Sequence, residues 1–323
     1  MTKKTNIISQ GVFFVLLFLL SITLSFGRGY GYAVTEGINL WVACVIPSLF
    51  PYLVITAMFS SMSFTMKVGK LFSPFTRRIF NCGGITGYAF FISLISGYPV
   101  GAKTVSDLKT GGFLGDAESV RASCVCSTSS PTFLLNSVGV FMFNQPIFGV
   151  KLFATHILSS IIVGYIFSFY KRKEKTTSFY KYNPHNSGNV LYDSVSSAVT
   201  SLLVVGGLIT FFYLLTEVLF SIGVLTPFIY LLTRITGNEK LSRSIVFGFF
   251  ECTCGLKALS VTSCFFTFPI ACAICGFGGL SVLFQSLSFL KKGKIKTAPF
   301  ILSKVTSAVI NFCLGCIFSL IFP

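Results

Sequence analysis

Charge is scarce in this chain. Lys, Arg, Asp and Glu make up 11% of its 323 residues, against roughly a quarter in an ordinary soluble domain. Acidic residues number only nine, histidine occurs twice and tryptophan once. The shortage of charge excludes a water-soluble domain. With 53% hydrophobic residues, 38 phenylalanines among them, and a mean hydropathy of +0.81, too little polar surface is left to enclose such a core. The shortage of histidine weighs against a metal centre: the spacings Cys272/Cys275 and Cys313/Cys316 lack imidazoles to complete one. These cysteines, like Cys124/Cys126 and Cys252/Cys254, read as small apolar side chains packed between helices. His156 lies inside an apolar run with no evident serine or cysteine partner in sequence, and His185 lies in a polar linker. No enzyme, metal or cofactor is expected.

What the chain does contain is long apolar runs. A helix needs about 20 such residues to cross a ~30 Å hydrocarbon layer, and clear spans fall at 7–26, 38–60, 147–170, 202–222 and 299–322. Two further runs, 119–143 and 264–287, are interrupted by small and polar residues. The stretches 85–103 and 241–261 are too short or too broken to cross simply. No A-x-A cleavage site follows the first span, which reads as a retained signal anchor behind Lys3 and Lys4.

The net charge of +16 would suit nucleic acid, but its placement does not. Basic residues gather at span ends: Lys67, Lys70, Arg77 and Arg78, then the 171–181 cluster, then Lys291, Lys292, Lys294 and Lys296. That is the cytoplasmic bias of membrane insertion, and the bilayer rather than nucleic acid is the expected partner. With a cytoplasmic amino terminus the span count closes only if 85–103 and 241–261 enter the membrane and return on the same side. The sequence therefore predicts an all-α polytopic membrane protein of the inverted-repeat transporter type, with two re-entrant helical hairpins and two interrupted transmembrane helices. Its expected units are an anchor helix at 1–30, a first repeat at 31–170, a basic cytoplasmic linker at 171–189 and an inverted second repeat at 190–323.

The repeats align at one telling place. Gly101-Ala102-Lys103-Thr104-Val105-Ser106 matches Gly255-Leu256-Lys257-Ala258-Leu259-Ser260 at glycine, lysine and serine. A lysine at membrane depth costs roughly 2.5–3.5 kcal/mol unless it snorkels or is paired, so two at equivalent places suggest a use. Ser96, Gly97, Tyr98, Pro99 and Gly101 form the expected tip of the first hairpin, and Gly255 is the expected turn of the second. Ser127, Thr128, Ser129 and Ser130 before Pro131, and Phe277, Gly278, Gly279, Ser281 and Gln285, supply the expected unwound walls. Unwound half-helices expose N–H groups that favour an anion. The expected passenger is a small carboxylate or phosphate-bearing solute held between Lys103 and Lys257. Glu251 pairs with Lys257, holds a coupling cation or carries a proton; Glu217 is a second buried carboxyl candidate. The stretch 106–121 reads as a solvated turn.

The segments SGYPVGAKTVSDL, SSPTFLLNSVGV, ECTCGLKALS and FGGLSVLFQ resemble, in order and spacing, the sporulation integral membrane protein family with paired nucleoside-recognition (Gate) domains. Two hairpins and two unwound helices are also similar to the concentrative nucleoside transporters. The resemblance implies a multi-pass transporter of endospore-forming bacteria, in the cell membrane or the mother-cell-derived forespore membrane, and a homo-oligomer is compatible with it. It implies an aromatic dicarboxylate such as dipicolinate as passenger, with a nucleoside carrier and a non-transporting envelope scaffold as alternatives.

Overall fold

The computed structural model describes residues 27–61, 64–174 and 189–322. The expected span at 7–26, Lys3, Lys4 and His185 lie outside them. The described residues are helical with no strand among them.

Helix α1 (Gly27–Leu40) continues through a π-helical turn, Trp41–Val45, into α2 (Ile46–Ser61). Pro47 and Pro51 each lack the N–H that an α-helix donates one turn back, and the axis bends by 56° between Tyr30–Val45 and Leu49–Met58. The basic helix α3 (Phe64–Ile79) is followed, after a 99° bend, by α4 (Gly84–Ser96). Gly97, at φ +76°, ends α4, and α5 (Val100–Thr110) begins after Pro99. Next come α6 (Asp116–Val125), a non-helical stretch at 126–130, a π-helical segment Phe133–Met142 and α7 (Pro146–Phe167).

The second half opens with α8 (Val190–Ser221), capped by the Asn189 side chain, which accepts from the Tyr192 N–H at 3.1 Å. It continues with α9 (Thr226–Thr236), α10 (Glu239–Phe250), α11 (Cys252–Leu259), α12 (Thr267–Phe277), α13 (Gly279–Lys292) and α14 (Ala298–Ile321). Four stretches are long and apolar enough to cross a bilayer: Pro146–Phe167, Val190–Ser221, Thr267–Lys292 and Ala298–Ile321, or six if each bent pair counts once. The third is 78% buried within the protein and the fourth 28%. The broken helix α12/α13 therefore threads the interior, while α14 lies at the periphery.

In each of the pairs α4/α5 and α10/α11 the two helices pack on each other, with backbone against backbone only in α10/α11. A Cβ on Gly101 would lie 2.1 Å from the Cys126 carbonyl oxygen and 2.6 Å from Ser93 Oγ; one on Gly255 would lie 2.2 Å from Gly248 Cα. Both aligned glycines admit a close neighbour, but a different one: Gly101 the carbonyl of the unwound segment and the Ser93 side chain, Gly255 the backbone of the facing helix. Gly255 is nevertheless not the turn of its pair, as expected from sequence. The turn is Glu251, extended at φ −142°, ψ 120°, whose carboxylate accepts the Cys254 N–H at 2.6 Å and caps α11.

The 106–121 stretch is not wholly solvated either. Glu118 and Arg121 are 1% and 2% exposed. Glu118 accepts the Gly83 N–H at 2.5 Å, where α4 begins, and Arg121 donates to the carbonyls of Tyr170 at 2.9 Å and Lys171 at 3.2 Å, just past α7. Charge is buried here because it satisfies backbone groups at two helix ends.

Candidate functional site

The centre of the molecule is built around Pro131. Without an N–H it leaves the carbonyl of Ser127, one turn earlier, with no helical donor, and residues 126–130 stay unwound. Ser93 of α4 ties this segment down: Thr128 donates its N–H to Ser93 Oγ at 3.2 Å and its hydroxyl to the Ser93 carbonyl at 2.6 Å. The Ser129 N–H donates to His156 Nε2 of α7 at 2.8 Å. That acceptor places the proton of the neutral ring on Nδ1, which has no partner among the described residues.

The tip of α4/α5 rests on the same segment. A Cβ on Gly97 would come within 2.6 Å of the Ser130 nitrogen, so the approach and the positive φ both require glycine. Tyr98 then bridges the two halves. Its oxygen receives the Ser129 hydroxyl at 2.6 Å, donates to the Cys275 carbonyl of α12 at 3.4 Å, and lies 4.0 Å from Cys252 Sγ. The second break mirrors the first: Gly278 and Gly279 have φ of +85° and +79°, and a Cβ on Gly279 would lie 2.9 Å from the Cys252 nitrogen and 3.2 Å from Glu251 Cα. The turn at Gly97 therefore packs on the unwound segment 126–130, and the turn at Glu251 on the break at Gly278 and Gly279.

Between them is a cavity of about 50 Å³, room for a few water molecules. Its polar lining is Tyr98, Ser129, Ser130, Glu251, Thr253 and Gln285; Val205 and Ile209 of α8 contribute to its apolar side. Gln285 donates to Ser281 Oγ at 3.2 Å and leaves its Oε1 without a partner among the described residues, as do the buried Ser96 and Ser127 hydroxyls.

Of the residues expected from sequence, Tyr98, Ser129, Ser130, Glu251 and Gln285 line the cavity. Gly97, Ser127, Thr128, Gly278, Gly279 and Ser281 pack directly behind it, and Pro99 and Gly101 shape the hairpin. Phe277 instead stacks on Phe249, with centroids 5.5 Å apart. The two lysines are not brought together. Lys103 donates to Ser197 of α8 at 2.9 Å. Lys257 pairs with Glu36 of α1 at 2.8 Å and not with Glu251, its side chain 52% exposed. The reason is helical rise: Lys103 lies four residues past Pro99 and Lys257 six past Glu251, about 6 and 9 Å along arms that lead away from the turns.

A buried cation outside these motifs lies next to the cavity without lining it. Lys304 of α14 is 2% exposed. Its Nζ donates to the freed Ser127 carbonyl at 3.3 Å and lies 5.1 Å from the centroid of the Tyr98 ring. Among the described residues it makes no ion pair. A lysine inside a 24-residue apolar helix was itself the available signal.

This chain is similar to the sporulation integral membrane protein YlbJ of Bacillus subtilis (strain 168). Identity is 29% over 334 aligned residues, covering 95% of this chain and 81% of the relative. No family model matches the sequence, and no solved structure matches it. An integral membrane relative along nearly the whole chain, together with four or more membrane-length apolar helices, makes this a multi-pass membrane protein.

Proposed function

We propose that the protein carries a small organic anion across the membrane by alternating access around the chamber between α4/α5 and α10/α11, which enter the bilayer from opposite faces as inverted repeats. The single observation that carries this reading is Lys304: a buried ammonium with no carboxylate partner among the described residues, donating to the unwound segment beside the chamber and lying over the ring of Tyr98, which lines the chamber. An aromatic dicarboxylate such as dipicolinate suits it, offering a carboxylate to the lysine and a flat ring to Tyr98. The designation of YlbJ as a sporulation integral membrane protein agrees with a role in sporulation, and we place the action in the forespore membrane with the amino terminus in the cytoplasm. Glu251, at the second turn, is the group that carries a coupling proton or cation.

A cavity of about 50 Å³ is far below the ~300–1,000 Å³ of pockets that enclose small molecules, so it fits a closed state from which one hairpin must part to admit the passenger. The test is uptake of labelled dipicolinate into vesicles containing the purified protein. Lys304→Gln should abolish it, and excess uridine should leave it unchanged. Uptake that uridine inhibits and Lys304→Gln spares would replace the anion with a nucleoside.

A further inference from the structure

The two aligned lysines miss the central chamber, yet each lines a larger cavity of its own. Lys103 faces one of about 410 Å³ with Ser196, Ser197 and Thr200 at the start of α8. Lys257 faces one of about 340 Å³ with Tyr213 and Glu217 near the end of α8, joined by Lys240 and Arg243 of α10. Both volumes fall in the range of small-molecule pockets, which the chamber does not.

Helix α8 serves as a ruler between them. From Ser197 to Glu217 it rises about 30 Å, the thickness of a hydrocarbon core, and Val205 and Ile209, which line the chamber, lie between. Cavity, chamber and cavity are thus stacked along one helix.

Resting on the transport reading above, we propose that Lys103 and Lys257 are the docking groups of two separate anion vestibules, one at each face of the membrane, and that Glu36 is an internal carboxylate which the passenger displaces from Lys257. The second vestibule holds three cations, Lys240, Arg243 and Lys257, against Glu217 and the paired Glu36. In the first, Lys103 donates to the neutral Ser197 hydroxyl, with Asp193 in the lining and the carboxylate of Asp107 close enough to feel its charge. A carboxylate passenger exchanges one oxygen partner for another at each lysine, so docking leaves no ammonium unpaired.

The test labels introduced cysteines in oriented vesicles of the full-length protein, after Cys44, Cys264, Cys313, Cys316 and the vestibule's own Cys254 are replaced by serine, the other six native cysteines being buried. Ser197→Cys reports the first vestibule and Ala258→Cys the second, probed with membrane-impermeant methanethiosulfonates bearing a sulfonate or a trimethylammonium group. Each cysteine should react from one face only, and the two from opposite faces. The sulfonate reagent should be favoured at the second vestibule by about tenfold, a preference lost in Lys257→Gln and raised in Glu36→Gln, with Lys103→Gln acting only at the first. Reaction of both cysteines from the same face, or a preference indifferent to the vestibule's own lysine, overturns the proposal. Dipicolinate flux in the same vesicles separates the two ideas: flux without the labelling pattern removes the vestibules and spares transport, whereas the pattern without flux keeps the vestibules and removes transport.

Discussion

Replacing Lys304 with methionine keeps the length of the side chain and deletes its charge. Burying an ammonium costs several kcal/mol even after relaxation. Against that cost stand a charged hydrogen bond to the Ser127 carbonyl at 3.3 Å, worth about 1.5–3 kcal/mol, and the Tyr98 ring at 5.1 Å, worth about 0.5–2 kcal/mol. The gains about match the cost, so the lysine contributes little to the stability of the empty protein. Lys304→Met, which also strands the Ser127 carbonyl at a cost of about 1–3 kcal/mol, should therefore unfold within about 2 kcal/mol of the parent, a shift of roughly 4–8 °C at most. Its response to ligand should differ completely. At a hundred times its dissociation constant a bound anion adds about 2.7 kcal/mol of stability, and dipicolinate should raise the midpoint of the parent in detergent but not that of the variant. A loss of 3 kcal/mol or more in Lys304→Met, as when a structural ion pair is broken, would refute the reasoning, because the lysine would then be a clamp and not a receiver.

Other perturbations follow from the packing. Gly101→Ala and Gly255→Ala should each destabilise by about 1–3 kcal/mol or more, since the new methyls meet backbone atoms at 2.1 and 2.2 Å, whereas Gly207→Ala, with nothing within 4 Å, should be neutral or mildly stabilising; thermal unfolding of the three distinguishes them. Arg121→Met strands the Tyr170 and Lys171 carbonyls and should lower stability by about 1–3 kcal/mol, with faster proteolysis in the linker after α7 as a second readout. Asp116, fully exposed, is held below the usual carboxylate range by its hydrogen bond to Lys109 and then by that lysine's charge. A depressed folded-state value contributes stability that is present above the unfolded value and lost as pH falls through the folded one; in so exposed a group the effect is small. Carboxyl NMR should find Asp116 back in the ordinary range in Lys109→Ala, and an unchanged titration would dismiss the lysine as cause.

The breaks in the helices were legible because they are made of Gly and Pro. Gly97 with Pro99, Pro131, and Gly278 with Gly279 each announce a conformation or a missing donor that disfavours a regular helix. The directions of side chains were not. Lys103 and Lys257 share a motif with the turns, and only the rise of the arms, invisible in an alignment, carries them off to Ser197 and Glu36. Lys304 was hidden by its surroundings: in a chain whose basic residues mark span ends, a lone lysine within an apolar helix reads as part of the span. Glu118 and Arg121 sit in a stretch otherwise rich in charge and glycine, so their burial against Gly83 and Tyr170 depended on contacts 35 and 49 residues away. Gly255 reads as a turn by type, but its missing side chain serves a helix crossing instead.

Helix α8 has 32 residues and so runs about 48 Å, some 18 Å beyond a ~30 Å hydrocarbon layer. Lying wholly within that layer would take a lean of about 50°, outside the usual 0–40° range for such helices. Part of it must therefore stand in the headgroups and water. The amino-terminal end is suited to that, with Tyr192 69% exposed beside the exposed Asp193. Lipids of different chain length should then change how far this post protrudes and how steeply it leans, making acyl-chain length a setting on the protein's activity.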